Sequence, residues 1–179
     1  MKVLIDTCVL YPTVMREVLL GVAAYGLFEP LWSARILEEW ARAARKLGPD
    51  GEAQARGEVA LICAAWPRAE IKPAPGIEAR LWLPDPDDVH VLASAIAGYA
   101  DVLLTLNNAD FPGHTLAEEG VTRREPDGFL WQMWSFHPDP VAQAVTRVHA
   151  RAEELSGQTW DLRKLMKKAR LPRLGKALA

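Results

Sequence analysis

Cysteine is scarce in this chain: Cys8 and Cys63 are the only two among 179 residues. No CxxC or zinc-finger spacing joins them, so a disulfide framework and a thiolate zinc site are both excluded, and the two thiols read as free in a reducing compartment. The four histidines, His90, His114, His137 and His149, lack the HxxxH or HxxEH spacing of a zinc enzyme, which leaves oxygen ligands as the natural choice for any metal. Long apolar runs are missing too. The uncharged stretch from Val18 to Phe28 is interrupted by Gly21 and Gly26 and falls well short of the roughly 20 residues that a membrane span needs. At the amino terminus Val3-Leu4-Ile5 meets Asp6 at once, so no secretory apolar region of about 7 to 15 residues forms and a cytoplasmic protein without a membrane anchor is expected. Internal repeats and low-complexity tracts are absent.

What remains is an ordinary globular composition, 50% hydrophobic and 25% charged. The length accommodates one domain of the usual 100 to 150 residues or so, with a peripheral segment beside it. Charge marks where that segment begins. Residues 1–127 hold 12 Lys+Arg against 19 Asp+Glu, whereas residues 128–179 hold 9 against 4, so a formal net charge of −2 conceals an acidic part of −7 and a basic part of +5. Near the end Arg163, Lys164, Lys167, Lys168, Arg170, Arg173 and Lys176 follow one another, a pattern that fits either a solvated helix face or a surface for phosphate backbone or an acidic protein.

Periodicity alternates strands with helices. The apolar run within Lys2–Leu10, centred on Val3-Leu4-Ile5 and closing on Asp6-Thr7, reads as a strand buried on both faces, and Asp101–Leu106 reads as another ending at Asn107-Asn108. Shorter strands are predicted at Phe28–Trp32 and around Glu70–Lys72. Helices are predicted over Met15–Phe28, over Ala34–Leu47 with Ser33 as N-cap, over Glu52–Trp66, and from Pro84-Asp85-Pro86-Asp87-Asp88 to about Tyr99, where Asp85 caps and proline suits the first turn. From Asp127 onward only helix is expected, broken near His137–Pro140, Gly157 and Leu171-Pro172. The resulting expectation is an α/β fold, a three-layer α/β/α sandwich around a mainly parallel sheet over residues 1–126, with a helical extension over 127–179.

Ligands bind outside the carboxyl ends of strands in open parallel sheets, so Asp6 and Asn107 come first as candidates, with Asp110 just beyond and Asp88 in the first turn of a helix opening on the same edge. Each acid has a plain structural alternative: Asp88 could complete a capping arrangement with Asp85, and Asp110 could be a turn former. Together, converging carboxylates repel one another unless protonated or bound to a cation, and Mg²⁺ or Mn²⁺ is the natural resolution. A phosphatase of the haloacid-dehalogenase type also begins with an acid after a first strand, but needs a second Asp two residues on, where this chain has Cys8.

The pieces Val3-Leu4-Ile5-Asp6-Thr7, Ile36-Leu37-Glu38-Glu39-Trp40, Pro84-Asp85-Pro86-Asp87-Asp88-Val89-His90 and Ala100–Asn107 continuing to Asp110-Phe111-Pro112 resemble, in order and spacing, the PIN-domain nucleases and within them the VapC-type toxin branch. The stretches Pro126–Leu130 and Leu171–Leu174 are similar to the helical extension of some such toxins. The resemblance covers residues 1 to about 125 and implies metal-binding acids at Asp6, Glu39, Asp88 and Asp110, supported by Asn107 and the Thr105 hydroxyl. Periodicity alone leaves Glu38 and Glu39 on the two flanks of one apolar stripe; the family register favours Glu39. Asn107 stands where many relatives carry an acid. The resemblance further implies endoribonuclease activity with a 5′-phosphate product, an RNA substrate, a small antitoxin partner covering the site, and homodimers, which are common among relatives. Arg35, Arg42, Lys46 and the basic tail are candidates for an RNA-binding rim; Trp32, Trp82, Trp131 and Trp134 could stack bases, although tryptophans within apolar patterns are more often core, the reading favoured here. The rival reading is a PIN-like scaffold that has lost catalysis and only binds RNA or protein.

Overall fold

The computed structural model describes residues 1–179. In chain order the elements are β1 (Lys2–Ile5), α1 (Thr7–Leu10), α2 (Thr13–Ala23), β2 (Glu29–Ser33), α3 (Ala34–Ala43), α4 (Gly51–Ala65), β3 (Glu70–Ile71), α5 (Pro75–Glu78), α6 (Val89–Ala97), β4 (Val102–Leu104), α7 (Gly113–Glu118), β5 (Thr122–Arg124), α8 (Pro126–Phe136), α9 (Pro138–Ser156), α10 (Leu162–Lys168) and α11 (Pro172–Leu178). They form two compact units. One comprises Met1–Tyr11 with Glu29–Arg123; the other comprises Pro12–Phe28 with Arg124–Ala179.

The first unit holds a five-stranded sheet in the order β3-β2-β1-β4-β5. β1 lies at its centre because Val3, Leu4 and Ile5 are fully apolar and fully buried, as a strand covered on both faces requires. It pairs in parallel with β2, Leu4 opposite Leu31, and with β4, Ile5 opposite Leu104. Chain order runs outward from β1 through β2 to β3 on one side, and outward through β4 to β5 on the other. The strand order therefore reverses between β1 and β4. Asp6 and Thr105, the first residues past their carboxyl ends, emerge side by side in the crevice where such sheets bind ligands.

The local signals largely act as their chemistry dictates. The Ser33 hydroxyl accepts the Ile36 amide at 3.2 Å and starts α3, whose buried stripe is Ile36, Leu37, Trp40 and Ala41. The expected helix to Leu47 tightens into a 3₁₀ turn over Ala44–Leu47 and stops at Gly48, whose φ of 114° favours glycine. The apolar run Lys2–Leu10 divides: the strand ends at Ile5, and Asp6 turns the chain into α1 as its carbonyl accepts the amides of Val9 and Leu10. Asp85 accepts the Asp87 amide at 2.9 Å, so the capping reading of that residue holds, and a 3₁₀ turn over Pro86–Asp88 precedes α6. α7 and β5 have no counterpart among the expected elements, since each is too short to show a period.

In the second unit α2 lies against α9, where glycine at position 21 lets the helices approach: a Cβ there would stand 3.3 Å from that of Ala144. Phe28 meets Phe129 of α8 edge to face with ring centroids 5.3 Å apart. The Asp127 carboxylate accepts the Arg173 and Leu174 amides at 2.9 and 3.0 Å and so closes the start of α11 from a distant point in the chain. α10 and α11 pack through Leu165, Met166 and Leu174, all buried. No helix is long and apolar enough to cross a membrane.

Candidate metal centre

Asp6 is the first polar residue after β1, and it is only 7% exposed. Its amide donates to the Leu104 carbonyl at 3.0 Å, which ties its position to the end of β4. Two donors converge on its Oδ2: the Thr105 hydroxyl at 2.7 Å and the Cys8 thiol at 3.1 Å. Each is itself held, because the Leu106 amide donates to Cys8 Sγ at 3.3 Å and the Asn107 amide donates to Thr105 Oγ1 at 3.0 Å. Burial pushes the Asp6 carboxyl above the usual range, the Thr105 and Cys8 hydrogen bonds work against that, and the charge of Glu39 adds to it. Cys8 is pushed up to about 12 by burial and by the Asp6 charge, so it stays a thiol and a donor.

Glu38 and Glu39 separate cleanly. Glu38 is held on the exposed flank of α3 by Arg42 at 2.7 Å and Arg56 at 2.8 Å. Glu39 turns the other way: Thr7 donates to its Oε2 at 2.9 Å, and His90 Nε2 meets its Oε1 at 2.8 Å. Partial burial raises its pKa, but the His90 hydrogen bond and charge, the Thr7 hydrogen bond and Arg35 outweigh that, and the net direction is downward. His90 is 4% exposed and its Nδ1 has no partner, so its ring is held through the Nε2 contact with Glu39.

The third group is the tightest. Carboxylate oxygens of Asp85, Asp88 and Asp110 lie within 4.8 Å of one another. Asn107 sits between two of them, its Nδ2 donating to Asp110 Oδ2 at 2.7 Å and to Asp88 Oδ2 at 3.1 Å. A neutral amide at that position bridges two anions where an acid would add to their repulsion. Asp88 is raised to about 6, first by burial and then by the charges of Asp6, Asp85 and Asp110, with His90 opposing. Asp6 is thus felt electrostatically at Asp88, and Glu39 at Asp6, which links the three groups into one negative field. Such a set, all oxygen donors and none matched by a nearby Lys or Arg except Glu39 by Arg35, is suited to a hard divalent cation.

The family model for the PIN domain matches residues 2–109. The chain belongs to the PIN domain family. Comparison with curated proteins and with solved structures finds no match. PIN domains are generally metal-dependent nucleases, which supports a hydrolase for this chain at that level. The matched span takes in Asp6, Glu39, Asp85, Asp88 and Asn107 and ends one residue before Asp110.

Three residues of this PIN domain site lie outside the set that the sequence pattern singles out. Asp85 is expected only as a cap, yet its carboxylate does both, capping Asp87 and facing Asp88 and Asp110. A signal is present in the Asp85-x-x-Asp88 spacing, which returns two side chains to one side of a helical turn. The sequence pattern gives neither His90 nor Cys8 a role at the site, and the fold alone places them against Glu39 and Asp6. Of the four tryptophans Trp32 is core, fully buried in β2 with no face for a base, whereas Trp82 is 71% exposed. Arg42 is exposed and shares the Glu38 carboxylate with Arg56.

Proposed function

We propose that this PIN domain is a divalent-metal-dependent endoribonuclease and the toxin component of a toxin–antitoxin pair, with Asp6, Glu39, Asp88 and Asp110 as its catalytic acids. The observation that carries the reading is the convergence of Asp85, Asp88 and Asp110 with Asp88 raised to about 6, a crowding of like charges that a cation relieves. Asp88 and Asp110, with Asp85 beside them, would hold the metal, and Asp6 and Glu39 would add their negative charge from the end of β1 and from α3. Bound Mg²⁺ or Mn²⁺ supplies an acidified water and neutralises charge on the scissile phosphate.

The chain's own side chains prepare that chemistry. Thr105 and Cys8 both donate to Oδ2 of Asp6, and the Thr7 amide also bonds its carboxylate, so the side chain is held in one orientation. Thr7 and His90 hold Glu39 through both of its oxygens, one on each. Asn107 holds Asp88 and Asp110 in register through one amide, and through its carbonyl or a reoriented amide it is the fifth candidate ligand. An antitoxin that covers this site, a homodimer and a cytoplasmic location belong to the same reading and rest on the resemblance to VapC-type toxins; the helical extension over 127–179 lies in the same compact unit as the Pro12–Phe28 segment.

The test is cleavage of a mixed RNA pool by the purified chain with Mg²⁺ or Mn²⁺, with chelator, and with Asp6→Asn alongside. Cleavage that requires both metal and Asp6 supports the proposal. Cleavage that survives Asp6→Asn overturns the site, and absence of both cleavage and any thermal response to divalent ions returns the chain to a binding scaffold.

A further inference from the structure

The two compact units carry opposite charge. Met1–Tyr11 with Glu29–Arg123 holds 10 Lys+Arg against 16 Asp+Glu, and Pro12–Phe28 with Arg124–Ala179 holds 11 against 7. Five of the ten cations of the first unit, Arg35, Arg42, Arg45, Arg56 and Arg80, are each paired with a glutamate, as are Arg16 and Arg151 of the second. In the second, Arg163, Lys164, Lys167 and Lys168 of α10 are exposed and have no carboxylate partner.

At about 100° per residue these four positions fall within one half of the helix circumference, and the other half carries Leu165 and Met166, both buried. A row of unneutralised cations costs self-repulsion and contributes nothing to the packing of α10, which its apolar side already secures. Beside this face a groove of about 320 Å³ is lined by Val14, Met15, Ala152, Trp160, Leu165 and Lys168. Trp160 is half-buried and pinned: its indole N–H donates to Ser156 Oγ at 3.1 Å, and its backbone amide donates to Glu153 at 2.8 Å. Lys168 Nζ stands 4.9 Å from the ring centroid, so the aromatic platform and the cationic row adjoin.

We infer that the α10 face and the Trp160 groove form a binding surface for single-stranded RNA, with the lysines and Arg163 on phosphates and a base against the Trp160 ring. The Trp160 ring meets Lys168 and lines the groove with Val14, Met15 and Leu165, and its remaining exposed surface adjoins the cationic row; an acidic polypeptide would use the charges but not that aromatic surface. Single-stranded RNA uses both. The choice of RNA rests on the ribonuclease reading above; the surface itself rests on the second unit alone.

The experiment measures binding of a fluorescein-labelled mixed-sequence RNA of about 20 nucleotides to the full chain in EDTA, without added metal, from about 50 to 300 mM salt. The variants are Arg163→Gln/Lys164→Gln/Lys167→Gln/Lys168→Gln, all exposed positions, and separately Trp160→Leu, each checked for an unchanged melting temperature. The quadruple variant is expected to bind about 10- to 100-fold more weakly at low salt, with the slope of log K against log salt reduced by about 3, near 0.7 for each of the four phosphates no longer neutralised. Trp160→Leu is expected to bind about fivefold or more weakly with the slope unchanged. Affinity within twofold of the parent and an unchanged slope in the quadruple variant overturn the inference. So does displacement of the RNA by polyglutamate of equal charge as effectively as by unlabelled RNA, which would assign the face to acidic protein. Because no metal is present, binding that depends on α10 in a chain that cleaves nothing keeps this surface and removes the nuclease, and the converse result removes only the surface.

Discussion

Asp6 and Asp88 are acids in different circumstances, and their variants should behave differently. Asp6 is enclosed and its Oδ2 is already committed to Thr105 and Cys8. Asp6→Asn keeps the shape and one acceptor but loses the charge, so RNA cleavage should fall at least about 100-fold while the melting temperature changes little. Asp88 is only part-buried and is raised from 3.8 to about 6. Between those values the folded chain holds a proton that the unfolded chain releases, so the metal-free protein loses stability as pH rises from about 4 to about 6 and carries the full penalty at pH 7. Asp88→Asn should therefore raise the metal-free melting temperature at pH 7 by a few degrees, about 1 kcal/mol once its solvent exposure is allowed for. The same proton competes with a cation. The rise in melting temperature caused by Mn²⁺ should fade as pH falls below about 6, and a rise that is level from pH 5 to 8 would contradict the role given to Asp88.

At the scale of elements, the site depends on how α3 begins and the basic unit on how α10 meets α11. Ser33 supplies the side-chain cap of α3, accepting the Ile36 amide from a buried position. Ser33→Ala should cost about 1 to 2 kcal/mol in chemical denaturation and, by loosening the first turns that carry Glu39, should weaken metal binding as well. Gly175 lies where α11 packs on α10, and a Cβ there would stand 2.6 Å from Met166 Cβ. Gly175→Ala should destabilise by about 1 to 3 kcal/mol through overpacking, read in the same denaturation assay. Gly175 lies outside the unit that carries the proposed ligands, so its variant reads packing alone, whereas Ser33→Ala reads packing and the position of Glu39 together.

Over the whole molecule the decisive property is the negative field of the first unit. Divalent ions should raise the melting temperature of the parent chain, chelator should reverse it, and Asp85→Asn/Asp110→Asn should largely remove the response, because a ligand bound only by the folded state stabilises it by mass action. A calorimetric scan in Mg²⁺, Mn²⁺ and EDTA reads this directly, and equal curves in all three would leave a scaffold without a metal centre. Side-chain substitution is a cleaner probe of the basic segment than truncation: Leu165, Met166, Leu171 and Leu174 are buried, and deleting them would open the core of their unit.

The local order of elements, the capping by Ser33 and Asp85, the burial of β1 and the helical character after Asp127 are all legible in the sequence, because each depends on neighbours within a turn or a strand length. The acids Asp6, Asp88 and Asp110 are legible for the same reason, as residues at the ends of apolar runs or in a helix's first turn. What only the tertiary structure decided is which side chains meet. Glu39 parts from Glu38 because Thr7 and His90 lie on one flank of α3 and Arg56 on the other, a choice that no periodicity contains. Asp85 joins Asp88 and Asp110 because the loop after β4 lies beside the turn that starts α6. The α2 segment joins the C-terminal helices, although the sequence pattern groups it with the first 126 residues. Hydrophobic pattern specifies what a segment becomes; the pairing of distant segments is a competition among many apolar faces, settled only when they pack.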